Sequence, residues 1–398
     1  MTDDAPLAGV RVLDLTRLLP GPMCTLHLAD LGADVVKVED TGEGDYARTL
    51  SATPAARASS MTAWYRAINR NKRSIAIDLK MPSGHAAFMA LARTADVIVE
   101  GFRPGVVRKL RVDYESVCAD NPRIVYCALS GYGQTGPRAA SAGHDINYLG
   151  YSGTLEYTGA RDGPPTLSNL QIADLLGGAA SAAIGILGAL FGAARTGRGR
   201  HVDVAMADAV LAHQIFLLGA LQDAGVVAPR GCDLLTGGVP CYGVYATRDG
   251  RFLAVGALEE KFWRTLCEAL QRPELVPLQF ATGAEGERTR GMLEAIFASA
   301  TLAQWRERLE RVDCCVTPVL TFEEALADAQ FAARGMTLRR PDGTRQYAPP
   351  FKLSPPSFAV VRDAPRHGEH TDEVLREAGF DAGAIDALVR ERAVRRAS

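Results

Sequence analysis

The first 130 residues alternate short apolar runs with stretches of helical periodicity, and that alternation constrains the fold more than any other feature. Residues 10–15 (VRVLDL) predict a strand and 22–31 a helix; 34–38 (DVVKV) predict a second strand. Three more strands are expected at 74–79, 96–99 and 124–129, with helices between them such as 84–94. Strands that alternate with helices must be joined by crossovers. The expected architecture is therefore α/β, a doubly wound parallel sheet with helices on both faces. Ligands of such sheets bind at the carboxyl ends of the strands.

Downstream, residues 175–194 carry no charge and are long enough to span a bilayer. Their content is mostly Gly and Ala, with few large aliphatic side chains and no aromatic belt, which predicts a helix buried in a protein core rather than a membrane span. A strand at 201–206 and a helix at 206–223 follow. The runs 242–246 and 251–255 flank Arg248-Asp249-Gly250 and read as an antiparallel hairpin. Helical patterns continue at 259–270, 290–299 and 302–311. This change of style predicts a large domain over 1–225 and a smaller α+β domain over 226–330. The Pro-rich stretch from 331 and two amphipathic helices near 371–379 and 383–391 are expected to complete the large domain.

Lys and Arg number 44 against 46 Asp and Glu, giving a net charge of −2 with the signs mixed along the chain. That argues against a nucleic-acid partner, which needs a basic face, but leaves room for a local phosphate site. The start, MTDDAPLAG, is acidic and lacks an apolar secretion core, so a cytoplasmic protein is expected. The eight cysteines form no CxxC pair and read as reduced thiols. Cys24 and His27 lie one helical turn apart without further ligands, so no metal is expected.

Gly131-Tyr-Gly-Gln-Thr-Gly136 matches G-x-G-x-x-G after a strand, but Pro137, Arg138 and the polar SAGHD replace the helix that a dinucleotide fingerprint requires. A tight turn is the better reading. Basic residues gather at 69–73 (NRNKR) and at 101–105 (GFRPG) with Arg108 and Lys109, which suits a phosphorylated ligand as well as a solvated rim. His144, in GHDINY, sits in an unusually polar segment. Asp174 precedes the apolar helix, either as a cap or as a desolvated acid–base group. Glu259 could be no more than a helix start. No G-x-S-x-G elbow is present. The residues alone lead to an acid–base site beside an anion-binding loop.

Taken in order, LAGVRVLDL, LADLGADVVKVE, NRNKRSIAIDLK, ADVIVEGFRPGV, GYGQTGPRAASAGHDINY, TGRGRHVDVAM, RGCDLLTGGVPCY, VGALEEKF, CVTPVLTFEEAL and the tail HGEHTDEVL resemble the class III CoA-transferase family. Within it they are most like the α-methylacyl-CoA racemases. The resemblance implies an interlocked homodimer and an acyl-CoA substrate, with coenzyme A part of the substrate and no separate cofactor. It implies that His144 and Asp174 exchange the C2 proton, that Glu259, from the partner chain, orients His144, and that backbone N–H groups near the Asp174 helix start meet enolate charge.

Coenzyme A contacts are implied at Ile77, Asp78, Leu79, Lys80, Gly101, Phe102, Arg103, Lys109, Gly143, Asp145, Ile146, Asn147 and Tyr148. The family's transferases use an aspartate at the place of Asp174 as a nucleophile, so that reading stays open. His144, Glu259 and the 235–242 loop favour the racemase. One departure stands out: Asp40 occupies a place where the racemases tend to have an arginine near the coenzyme's 3′-phosphate. Lys37, Arg70 or Lys72 is expected to compensate.

Overall fold

A computed structural model describes residues 4–51, 53–340 and 342–397. Strands β1 (Arg11–Leu15), β2 (Asp34–Glu39), β3 (Lys72–Ile77), β4 (Val97–Glu100), β5 (Val125–Ser130) and β6 (Arg200–Ala205) run parallel in the order β3-β2-β1-β4-β5-β6. Strands β2 to β5 are almost wholly buried, as expected where helices cover both faces. Leu13, Val36, Ile75, Ile98 and Tyr126 pack with Phe88, Leu91, Leu375 and Ile385 in one core, each large side chain contributing about 1.5–3 kcal/mol by leaving water. The chain runs outward from β1 to β3 and returns to place β4 on the other side of β1. That reversal opens a crevice at the carboxyl ends of β1 and β4.

The sheet also buries charge. Lys72 Nζ lies 3.2 Å from Asp14 Oδ2 and donates to Thr25 Oγ1, Asn69 Oδ1 and the Pro22 carbonyl. Lys37 Nζ is 2.8 Å from Asp45 Oδ2 and 2.8 Å from the Thr16 carbonyl. Burial opposes ionisation of Asp14, but Lys72 and Lys37 outweigh it and hold the carboxyl at about 2. Arg70 forks onto Asp30 at 3.0 and 2.5 Å, while Arg73 pairs with Asp34, Glu373 and Glu377. The expectation that Lys37, Arg70 or Lys72 reaches a ligand phosphate is therefore corrected. All three are buried and spent on internal carboxylates. For the same reason β3 begins at Lys72 rather than at residue 74: its first two side chains are charged yet fully paired.

The helix Ala173–Thr196 opens with π-type winding over Ala173–Ala180 and continues as α-helix over Ser181–Thr196. Its small residues allow close packing on one side. A Cβ on Gly178 would come within 2.9 Å of Pro20 Cβ, and one on Gly177 within 2.9 Å of the Met206 carbonyl. The other side departs from the expectation of a fully buried helix. Leu176, Ile184 and Phe191 are exposed at 56, 72 and 66%. By length and composition this helix could cross a bilayer.

The chain divides into two compact units, one of 1–154, 168–214 and 338–398, the other of 155–167 and 215–337. The second is thus wider than 226–330. It holds an antiparallel sheet β7-β8-β9 of β7 (Tyr242–Ala246), β8 (Phe252–Gly256) and β9 (Val316–Pro318), around a core of Tyr245, Trp263, Phe297 and Trp305. Strands β10 (Thr337–Arg339) and β11 (Arg345–Tyr347) pair with each other. In the first unit, β12 (Val394–Arg395) closes the edge of β3 antiparallel.

Candidate active site

Three loops leave the sheet at the crevice. The first, after β1, is fixed from below: the Thr16 N–H and hydroxyl donate to Asp14 Oδ1, and the Leu18 N–H donates to Asp45 Oδ1. Leu18 takes a positive φ of 64°, a strained choice for leucine that this anchoring sustains. The second loop is Gly101-Phe102-Arg103, pinned where the Phe102 N–H donates to Glu100 Oε2 at 2.7 Å. The third is the Gly131–Gly136 turn after β5. Tyr148 closes over it; a Cβ on Gly131 would lie 2.3 Å from the Tyr148 ring, and the Tyr148 hydroxyl donates to the Gly143 carbonyl. Of the three motif glycines, Gly131 alone makes room for this aromatic ring.

These loops enclose a cavity of about 770 Å³ whose lining includes Arg17, Gly101, Phe102, Arg103, Gly143, His144, Asn147, Tyr148 and Asp174. His144 precedes the helix Asp145–Tyr151, where its N–H donates to Asn147 Oδ1 at 3.0 Å and its imidazole stays exposed. Asp145 Oδ1 accepts the Asp174 N–H at 3.0 Å, tying the start of that helix to the start of Ala173–Thr196. The Asp174 N–H is thereby engaged, so it does not supply the free donor expected for an enolate. Burial, reinforced by Asp145 and opposed by His144, lifts the Asp174 carboxyl to about 6. A carboxylic acid of such strength can hold or release a proton near neutral pH, and the His144 imidazole lines the same cavity.

The sign of that shift has a consequence for stability. The Asp174 pKa rises from 3.8 to about 6 on folding, so its contribution is fully present below pH 4 and is lost as pH rises through 6. Asp174→Asn, which fixes the neutral form, is expected to match wild type at pH 4. Above pH 6 it should be more stable by about 1–2 kcal/mol, a figure discounted for partial exposure. Urea denaturation at pH 4 and pH 8 checks this.

Other expected site residues lie elsewhere. Ile77 pairs with β12, the Asp78 N–H donates to the Ala393 carbonyl, and Leu79 packs on the core. Neither these residues nor Lys80, Lys109 and Ile146 line the cavity. Glu259 precedes the helix Glu260–Ala269 in the second unit, with an exposed side chain. That unit has its own cavity of about 730 Å³, lined in part by Leu235, Thr236, Gly237, Tyr242, Arg290 and Cys315.

Sequence reasoning passed over Glu100 and Arg17. Glu100 is a buried carboxyl at the tip of β4, pushed to about 7 by burial against the pull of the Phe102 N–H, with Asp203 adding to the rise. Its signal was an acid ending the apolar run VIVE. Arg17 had none: its partner, Asp40, lies on a different strand end. Cys24 is buried beside Asp14, which with burial pushes its thiol far up and leaves it unreactive. Among the described residues no group of three or more His, Cys, Asp or Glu could hold a metal.

Comparison with known proteins places this architecture. The chain is 36% identical over 392 residues to the alpha-methylacyl-CoA racemase of Homo sapiens, covering 98% of this chain and 97% of that one. It is 36% identical over 393 residues to the succinate–glutarate CoA-transferase of Agrobacterium fabrum, covering 94% and 95%. A solved CAIB/BAIF family protein from Brucella suis superposes with a TM-score of 0.80 at 30% identity, covering 94% of this chain and 99% of that one. Residues 7–371 match CoA-transferase family III, and the chain belongs to that family.

Proposed function

We propose that the protein inverts C2 of a 2-methylacyl-CoA thioester by 1,1-proton transfer. The observation that carries this reading is that His144 and an Asp174 carboxyl lifted to about 6 line one cavity. A thioester carbonyl acidifies the C2 proton. The neutral imidazole removes it, the C–H electron pair moves onto the thioester oxygen as an enolate, and protonated Asp174 delivers a proton to the opposite face. The reverse reaction exchanges the roles. The raised pKa of Asp174 keeps its acid form within reach near working pH.

Coenzyme A contacts at Gly101, Phe102, Arg103, Gly143, Asn147 and Tyr148 are supported by the cavity. Asp145 acts as the anchor of Asp174 rather than as a ligand contact. Glu259 of the partner subunit is proposed to orient His144, as a carboxylate orients a catalytic imidazole elsewhere. The exposed apolar stripe Leu176, Ile184 and Phe191 favours such a homodimer, since a monomer rarely leaves so many large side chains on one helix face.

The second reading is a CoA-transferase in which Asp174 attacks the thioester and carries the acyl group and then coenzyme A. It is favoured by relatives such as the Agrobacterium fabrum enzyme. Incubation with 2-methylacyl-CoA in D2O separates the two. The racemase is expected to place deuterium at C2 with no acceptor acid present. Movement of coenzyme A to an added labelled carboxylate without C2 exchange, with an Asp174 adduct trapped by hydroxylamine, overturns that reading in favour of the transferase.

A further inference from the structure

We infer that Glu100 is a positioning residue for acyl-CoA binding: uncharged, its carboxyl holds Gly101-Phe102-Arg103 against the tip of β4, and on ionisation it lets go of that wall of the cavity. The inference rests on the proposed coenzyme A substrate and adds a pH-dependent hold on the loop beside it.

Glu100 is the last residue of β4 and is buried. The chain turns there, and Gly101, Phe102, Arg103, Pro104 and Val106 form one stretch of the cavity lining. The Phe102 N–H fastens this stretch to the strand tip by donating to Glu100 Oε2 at 2.7 Å. The next hydrogen bond along, from the Val106 N–H to the Arg103 carbonyl, stays inside the loop. Glu100 cannot turn out toward water without releasing the Phe102 N–H. Ionisation of the acid and the fit of the wall are therefore linked by one bond.

The charged and titratable groups around Glu100 do not neutralise it. Asp203 on β6 lies across Ala128 of β5 on the same face of the sheet, and its two oxygens accept the Gln134 N–H at 3.2 and 3.0 Å. Tyr126 and Cys127 on β5 are buried, and the Tyr126 hydroxyl donates to the Val112 carbonyl. His201, two residues before Asp203, stacks on Tyr114. Asp14 on β1 is paired with Lys72, and Arg17 beyond it with Asp40. Arg103 in the loop, and Arg108 and Lys109 on the helix Val106–Leu110, are exposed and none of them lowers the Glu100 pKa.

One N–H does not replace the water that a carboxylate loses on burial. Burial therefore raises the Glu100 carboxyl from 4.5 to about 7, with the Phe102 N–H opposing and Asp203 adding. For an acid raised on folding, the closed loop has its full stability below pH 4.5 and loses it as pH rises through 7. A conformer that opens Glu100 to water restores ordinary carboxylate strength, so rising pH draws the population toward it. The interval between the two values favours the open conformer by up to about 300-fold well above pH 7.

The test is calorimetric titration of the full chain with coenzyme A at about pH 6.5 and about pH 8.5. Wild type is expected to bind about tenfold more weakly at the higher pH, as one proton is lost. Glu100→Gln keeps an oxygen for the Phe102 N–H and cannot ionise. It should bind at both pH values as wild type does at the lower one. A purely structural Glu100 gives no pH dependence that the amide removes. Parallel behaviour of wild type and Glu100→Gln, falling or flat, overturns the inference and leaves the coenzyme reading standing. Loss of fold or of binding by Glu100→Gln at the lower pH overturns it too, because the amide copies the uncharged acid. Failure of wild type to bind coenzyme A at either pH overturns the coenzyme reading itself and the inference with it.

Discussion

Replacement of His144 by alanine is expected to slow C2 deuterium exchange by about 10²–10⁴-fold, the usual weight of a positioned general base, with coenzyme A affinity nearly intact. The backbone explains why the two effects separate. The His144 N–H donates to Asn147 Oδ1 at the helix start, and Tyr148 holds the loop through its hydroxyl on the Gly143 carbonyl. Truncating an exposed side chain therefore leaves the cavity wall in place. Exchange by mass spectrometry and coenzyme A titration on the same preparation read the two quantities. Exchange at the wild-type rate in that variant would remove His144 from the mechanism.

The second large effect is on stability. Lys72→Met is expected to cost about 3–5 kcal/mol, because it strands a buried carboxylate. Lys72 Nζ has four partners within 3.2 Å, and Asp14, its counterion, also holds Thr16 in the loop after β1. The loss therefore reaches the crevice as well as the core. A double variant, Asp14→Leu with Lys72→Met, removes both charges and should recover much of the unfolding free energy while leaving the Thr16 loop without its anchor. Urea unfolding of the three proteins measures the cycle. Equal destabilisation in the single and double variants would contradict the buried-pair account.

That same pair marks where sequence reasoning succeeds and where it stops. Apolar runs such as VRVLDL and DVVKV announce buried strands directly, and the helical spacing between them gives the crossovers, so a parallel sheet follows from local pattern. A charged strand start does not. Lys72 and Arg73 look solvent-seeking until Asp14, Asp34 and Glu377 converge on them from 58, 39 and 304 residues away. The basic cluster at 69–73, which suits a phosphate site as well as a solvated rim by sequence, is internal structure. Short strands such as β9 and β12 carry too few residues for a period to be visible.

The site was readable to a similar depth. By sequence His144 and Asp174 are polar residues that a structural role or a helix cap could also explain, and the family resemblance is what singles them out as candidates. Nothing local showed that Asp145 would grip the Asp174 N–H, or that burial would lift the Asp174 carboxyl to about 6. Arg17 and Asp40 meet only because β1 and β2 lie side by side.

The most direct test of the central claim starts from one enantiomer of a 2-methylacyl-CoA in D2O, with no acceptor acid, sampled at early times. Two-sided proton transfer by His144 and Asp174 predicts that the opposite enantiomer appears carrying one deuterium at C2, and that its appearance is lost in His144→Ala. Retention of the starting enantiomer with protium at C2, while coenzyme A passes to a carboxylate when one is supplied, would contradict it.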